Sequence, residues 1–235
     1  MAKSSNKTKK RRKTSKKKGI GKNAKRTRQF AIGGLVFIVA CWICHVSFRN
    51  EAPIEVSENE LPKVCERVNE NYGTIIDSCA RVVGLSSAYL KALACLECSG
   101  RTDMPKRFEK HVYKRLKNVR EGKLASYEGV TSSMIQDASD DALKNLATSW
   151  GPFQIMGYKC LHLHINVADL RGKDAVYWGV KWIKGEYGHL LQKGRYRDAF
   201  HYHNTGRVYP ADGKPTTYDK NYVPNGLTYM RCFGF

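Results

Sequence analysis

Acidic residues are what this 235-residue chain has least of: 21 Asp and Glu stand against 41 Lys and Arg, a formal charge of +20. The shortage is local. Residues 1–29 carry 14 Lys or Arg and neither an acid nor an aromatic, while the remaining chain holds 27 basic and 21 acidic residues. With almost nothing apolar to bury, residues 1–29 are expected to form a disordered tail. The missing aromatics leave base stacking there without a candidate. Residues 30–48 (FAIGGLVFIVACWICHVSF) lack Asp, Glu, Lys and Arg altogether. An H-E-x-x-H helix, a paired C-x-x-C knuckle and an internal repeat are absent as well, which removes the common zinc-hydrolase signature and the repeat architectures. Together these gaps exclude a simple soluble cytosolic protein, a multi-span transporter and a wholly disordered chain.

What is present divides the chain into four parts. Residues 30–48 are long enough, at about 1.5 Å per residue, for a helix across roughly 30 Å of hydrocarbon. The run is longer than a signal-peptide core and ends without small cleavage-site residues, so an uncleaved transmembrane helix is expected. The cations ahead of it predict a cytoplasmic N-terminus and an exported C-terminal part. A phage virion membrane is the alternative location. The basic tail is expected to contact anionic lipid; nucleic acid or proteins of an envelope or virion are further possible partners. Residues 49–62, acidic and Pro-bearing, read as a linker, and 63–235 as one domain of ordinary size.

That domain reads as mainly α with a minor β element. Helices are predicted over 64–83 (interrupted near Gly73), 86–98, 106–119, 140–147, 173–187 and 195–203, while 122–129 and 207–224 read as loops or a short hairpin. In 106–119, Phe108, Val112, Leu116 and Val119 make one stripe. Six cysteines lie beyond the span: Cys65, Cys79, Cys95, Cys98, Cys160 and Cys232. Up to three disulfides suit an oxidising compartment, and buried free thiols are the other reading. Cys160, His162, His164, His201 and His203 offer zinc ligands for a metal-dependent wall hydrolase. Alternation in Cys160-Leu161-His162-Leu163-His164 equally fits a short strand, and no metal or cofactor is expected.

The helix predicted over 86–98 has Ser86 or Ser87 as N-cap and Gly100 just past its end. On it, Leu90, Leu93 and Glu97 share a face. Burial and the negative helix end would both push the Glu97 carboxyl toward the protonated form that a general acid requires. Periodicity alone allows Glu97 to turn to solvent instead.

The order Glu97-Cys98-Ser99-Gly100, then Arg107-Phe108-Glu109-Lys110-His111, then Ser149-Trp150-Gly151-Pro152-Phe153-Gln154-Ile155-Met156-Gly157 resembles the lysozyme-like peptidoglycan-cleaving superfamily. It is most similar to the lytic transglycosylase and goose-type lysozyme branch and to phage-type N-acetylmuramidases. His203-Asn204-Thr205-Gly206 is similar to that branch's Y-N-x-G motif, with His in place of Tyr, and Tyr222 to the aromatic that closes the family site. The resemblance spans roughly 61–225. It implies an α+β lysozyme-like fold and cleavage of the β-1,4 bond between N-acetylmuramic acid and N-acetylglucosamine in peptidoglycan. By the same resemblance Glu97 is the catalytic acid, Ser149, Gln154 and Met156 line the sugar cleft, Asn204 binds an N-acetyl group or stabilises the transition state, and Tyr222 orients the acid. A hydrolase would need a second carboxylate, for which Glu109 is the candidate; an ion pair with its basic neighbours is its other reading. A transglycosylase needs Glu97 alone. A glycan-binding or structural membrane protein that has lost catalysis is the non-enzymatic alternative.

Overall fold

The apolar residues spaced through 64–83 form two helices, α1 (Leu61–Val68) and α2 (Thr74–Val83), joined by one wider turn over Asn69–Gly73. Helix starts at Leu61, so the last two residues of the expected linker are already helical. This is a computed structural model, and it describes residues 61–103 and 106–235. The expected tail, transmembrane helix and remainder of the linker therefore lie outside the described residues. Among the described residues no helix is long and apolar enough to cross a membrane.

Helix α3 (Ser87–Cys98) runs through the core of the described residues. Tyr89, Leu90, Ala92, Leu93, Ala94, Cys95 and Cys98 are all buried, so it is covered on nearly every side. Ser86 caps its start by accepting from the Tyr89 N–H. The chain then runs through a strand β1 (Arg107–Phe108) into α4 (Lys110–Arg120), a small hairpin β2 (Ser126–Tyr127) and β3 (Val130–Thr131), and the helices α5 (Ser132–Ile135) and α6 (Asp140–Leu146). Strands β4 (Thr148–Trp150) and β5 (Ile155–Met156) follow. Next come α7 (Lys159–Leu163), a 3-10 turn Val167–Leu170, and the helices α8 (Ala175–Gln192), α9 (Tyr196–Thr205) and α10 (Tyr222–Cys232). Helix α10 lies along α3, α8 packs on α2, and α9 bridges α8 and α10. The class is mainly α, with two small antiparallel sheets.

The larger sheet has the order β1-β4-β5, and its register aligns Arg107, Ser149 and Met156 in one row. Residues directly opposite in antiparallel strands project to the same face, so these three side chains are neighbours. A tight turn links β4 to β5. Gly151, at φ +74°, makes it possible: a Cβ there would sit 2.6 Å from the Leu170 carbonyl oxygen.

Three predicted elements differ in the structure. The helix over 106–119 begins only at Lys110, because Arg107 and Phe108 pair with Ser149 and Thr148; Phe108 is exposed, and the buried stripe is Val112, Leu116 and Val119. The alternating run from Cys160 to His164 is not a strand: α7 buries Cys160, and His164 ends it in the left-handed region. The loop over 207–224 stops at Asn221, and the chain then folds into a helix that the sequence reading left out.

Candidate active site

Glu97 occupies the last turn of α3, where the chain leaves the helix through Ser99 and Gly100, both at positive φ. That exit is fixed from α1 and the turn after it. Arg67 donates to the Ser99 carbonyl (3.1 Å), Asn71 to that of Gly100 (2.8 Å) and Tyr72 to that of Arg101 (2.7 Å). A Cβ on Gly100 would lie 2.8 Å from the Val68 nitrogen, so only glycine lets the two segments approach this closely. Three consecutive carbonyls just past the helix end are thereby satisfied, which restrains the backbone next to Glu97.

The Glu97 side chain is 15% exposed. Burial pushes its carboxyl up to about 7, against an ordinary 4.5, although the hydroxyl of Tyr222 and the positive charge of Arg107 both pull the other way. Tyr222, the first residue of α10, donates its hydroxyl to Glu97 Oε1. The Tyr222 phenol is itself held protonated by burial and by the neighbouring carboxylate. A carboxyl in this state is a proton donor at neutral pH and, once ionised, an acceptor already hydrogen-bonded in place.

His203 Nε2 lies 3.6 Å from Glu97 Oε1. It also lies 3.0 Å from the Phe153 carbonyl oxygen, which has no proton to give, so Nε2 carries the hydrogen. Nδ1 is then an acceptor, and the Tyr187 hydroxyl donates to it at 2.7 Å. Tyr89 in turn donates to the Tyr187 oxygen at 3.3 Å. Burial pushes the His203 pKa down to about 4, outweighing the opposing Phe153 hydrogen bond, so the ring beside Glu97 is neutral. The donors Tyr89, Tyr187 and His203 thus form one directional chain ending next to the acid.

The sheet lies nearby, reaching His203 through the Phe153 carbonyl of the β4–β5 turn. Ser149 Oγ donates to Gln154 Oε1 (2.8 Å), and Gln154 Nε2 donates to the Gly151 carbonyl (3.2 Å). Gln154 adopts φ +47°, a conformation unfavourable for a residue with a Cβ, and this pair of bonds pins its amide there. Met156 is partly buried opposite Ser149. Arg107, in the same row, acts electrostatically on Glu97 and pairs with Glu109 Oε1 at 2.9 Å. His111 Nδ1 approaches the second Glu109 oxygen at 3.5 Å. The structure therefore holds Glu109 in a basic cradle, its ion-pair reading.

Of the expected residues, Tyr222 meets Glu97 directly, and Ser149, Gln154 and Met156 cluster on the sheet. Asn204 is exposed on the last turn of α9, where its neighbour His203 is the residue turned to Glu97. Tyr187 and Arg107 are participants that sequence reasoning left without a role, and His203 one it offered only as a zinc ligand. The one available signal was the His standing where the similar motif has Tyr.

The zinc candidates do not assemble: among the described residues no three of His, Cys, Asp and Glu are grouped to hold a metal ion. His162 Nε2 instead meets the Glu128 carbonyl oxygen at 3.0 Å, and His201 Nδ1 that of Arg207 at 2.7 Å. The six described cysteines are free thiols, five buried and Cys232 exposed. Cys65, Cys95 and Cys232 are close enough to influence one another's ionisation.

The site is thus a desolvated carboxyl held by Tyr222 and bordered by His203. No family model matches the sequence, no curated protein matches it, and no solved structure matches the fold.

Proposed function

We propose that this chain is a peptidoglycan-cleaving enzyme of lysozyme-like fold, a lytic transglycosylase that breaks the β-1,4 bond between N-acetylmuramic acid and N-acetylglucosamine. The observation that carries the reading is Glu97: a carboxyl raised to about 7 by burial, hydrogen-bonded by Tyr222 and bordered by a neutral His203. The motif order in the sequence supplies the substrate class. The strained Gln154, fixed by Ser149, supports it, since backbone strain that is held in place by side-chain bonds concentrates at functional sites.

In this reading the protonated Glu97 gives its hydrogen to the bridging oxygen as the C1–O bond of the muramic residue breaks. The resulting carboxylate then takes the proton of the C6 hydroxyl while O6 bonds to C1. The product is a 1,6-anhydro ring, and Glu97 regains its hydrogen. Engagement of Glu109 by Arg107 and His111 favours this single-carboxyl route over hydrolysis, which requires a free base on the far side of the sugar. Gln154 and Met156 would line the sugar cleft, with Asn204 toward an N-acetyl group. A helix over residues 30–48 would anchor the enzyme with its domain outside the cytoplasm, or in a virion membrane, and restrict cutting to wall close by.

The test is mass spectrometry of fragments released from purified peptidoglycan by the full chain and by Glu97→Gln. Anhydro-muramic ends from the wild type and none from the variant are expected. Reducing ends would assign hydrolysis, equal release by both would remove Glu97 as the acid, and no release by either would favour a glycan-binding role. Release abolished by a chelator would point to the zinc reading.

A further inference from the structure

Two residues before His203 on α9, and so about 200° around the helix from it, His201 is fully buried. Both of its ring nitrogens meet backbone groups of fixed polarity. Nδ1 lies 2.7 Å from the Arg207 carbonyl oxygen, which only accepts, and Nε2 lies 3.1 Å from the Thr216 nitrogen, whose N–H only donates. The hydrogen is therefore on Nδ1 and the lone pair on Nε2, the reverse of the arrangement in His203. One neutral imidazole thus fastens both ends of a single stretch of chain.

That stretch, residues 207–216, contains neither helix nor strand and is exposed over most of its length. Near its start the Thr205 hydroxyl accepts the Arg207 N–H at 3.2 Å, and Asp198 accepts the Tyr209 N–H at 3.2 Å. The Arg197 guanidinium stacks on the Tyr209 ring, with Cζ 3.6 Å from its centre. At the far end the bond to His201 falls on Thr216, a few residues before Tyr222 opens α10 and reaches Glu97. Thr217 beside it is buried with an unpartnered hydroxyl, so this end is seated at a cost even when the histidine is neutral.

A second proton reverses this arrangement. An imidazolium carries hydrogen on both nitrogens, so Nε2–H would point at the Thr216 N–H, donor against donor. The Thr216 hydroxyl, 3.1 Å from Nε2, can turn to accept, but the backbone N–H then has no acceptor and the charge stays enclosed. No carboxylate is bonded to the ring to stabilise that charge. The titratable and charged groups nearest to it are Tyr209, edge-on at 5.3 Å, Arg197 stacked on Tyr209, and Asp198, which Arg195 already engages at 2.6 Å. From the neighbouring helices, Glu186 of α8 accepts from Tyr202, Glu97 of α3 lies on the His203 side, and α10 carries no acid.

We propose that His201 is an acid-sensitive latch. Neutral, it fastens residues 207–216 to α9; charged, it lets them go and loosens the start of α10, from which Tyr222 reaches Glu97. The latch itself is independent of what Glu97 does. Its consequence, that cutting is turned down in acid as the carboxyl loses its tyrosine, rests on the glycan-cleaving reading.

Amide hydrogen exchange of the full chain carrying Glu97→Gln, which removes the titration of the site carboxyl, tests the latch. Rates are corrected for the intrinsic pH dependence of exchange. From about pH 7.5 to about pH 5, the range in which histidine changes charge, protection in peptides spanning Thr216 and Tyr222 should fall about tenfold while α3 keeps its own. Adding His201→Gln, which stays neutral, should abolish the pH dependence. Thr216→Val removes the one hydroxyl that can accept from the charged ring, so release should move to higher pH; this variant decides if the glutamine chain does not fold. Protection that is constant with pH, a fall that persists with His201→Gln, or release in Thr216→Val at an unchanged pH overturns the proposal. Cleavage by the wild-type chain should decline over the same range. Cleavage that persists once Tyr222 exchanges freely overturns the coupling to the site. Should the wild type cut at no pH while the exchange behaves as described, the glycan-cleaving reading alone has failed.

Discussion

Replacing Glu97 with Gln should make the protein more resistant to heat at neutral and alkaline pH and leave it nearly unchanged in acid. The carboxyl titrates at about 7 in the folded chain against an ordinary 4.5. At about 1.4 kcal/mol per pH unit, ionising it in its desolvated position costs roughly 3 kcal/mol of folding stability. Between those two values the folded state binds more protons than the unfolded one, so this group makes stability fall as pH rises. Below 4.5 both states are protonated and the penalty vanishes; above 7 it is complete. Glutamine imitates the protonated acid, remains neutral at every pH, and still offers an oxygen to the Tyr222 hydroxyl. The gap in melting temperature should therefore open from near zero at pH 4.5 to several degrees at pH 8, at roughly 2–4 °C per kcal/mol for a domain of this size. Scanning calorimetry at pH 4.5, 6 and 8 measures it. A gap that does not change with pH, or a variant that melts earlier at pH 8, would refute the claim that Glu97 is held in a desolvating site.

Tyr222→Phe removes a donor that pulls the Glu97 pKa down, so the alkaline limb of the cleavage profile should move upward by about one pH unit. A downward move in kcat/KM against pH would contradict this. His203→Ala leaves the Tyr187 hydroxyl and the Phe153 carbonyl without their partner, and urea denaturation should register a loss of about 2–4 kcal/mol. Unchanged stability would mean the tyrosine–histidine chain is not the anchor described. Gly157→Ala would thrust a Cβ to 2.2 Å from the Asn145 carbonyl and 3.0 Å from Leu146 Cα, both backbone atoms. The backbone just past β5 meets no flexible neighbour that could yield, so a loss of about 3 kcal/mol is expected in the same assay.

How far the sequence reveals this molecule depends on how local the cause is. Helix α3 is legible because its signals are adjacent: Ser86 at the start, an apolar run, Gly100 just beyond the end. Strand β1 is not, because Arg107 becomes extended only by pairing with Ser149, 42 residues away. Helix α10 hides behind Pro224 and Gly226. Proline is tolerated in a first turn, and Gly226 is needed because a Cβ there would meet the Phe200 ring at 2.9 Å. The five-residue alternation around His162 was too short to separate strand from helix. At the site, Glu97, Gln154 and Tyr222 stand out through motif order. The chain from Tyr89 through Tyr187 to His203 unites three separate helices, and no run of sequence announces it.

The partner that grips Glu97 is reached only 125 residues later, in α10. A polypeptide emerging from the ribosome therefore exposes its acid long before it can make Tyr222. A segment synthesised much later than Glu97 completes the constellation, so a copy interrupted before Tyr222 would have the carboxyl without its clasp. For a cell whose own envelope is the proposed target, that order of assembly is a safeguard written into topology.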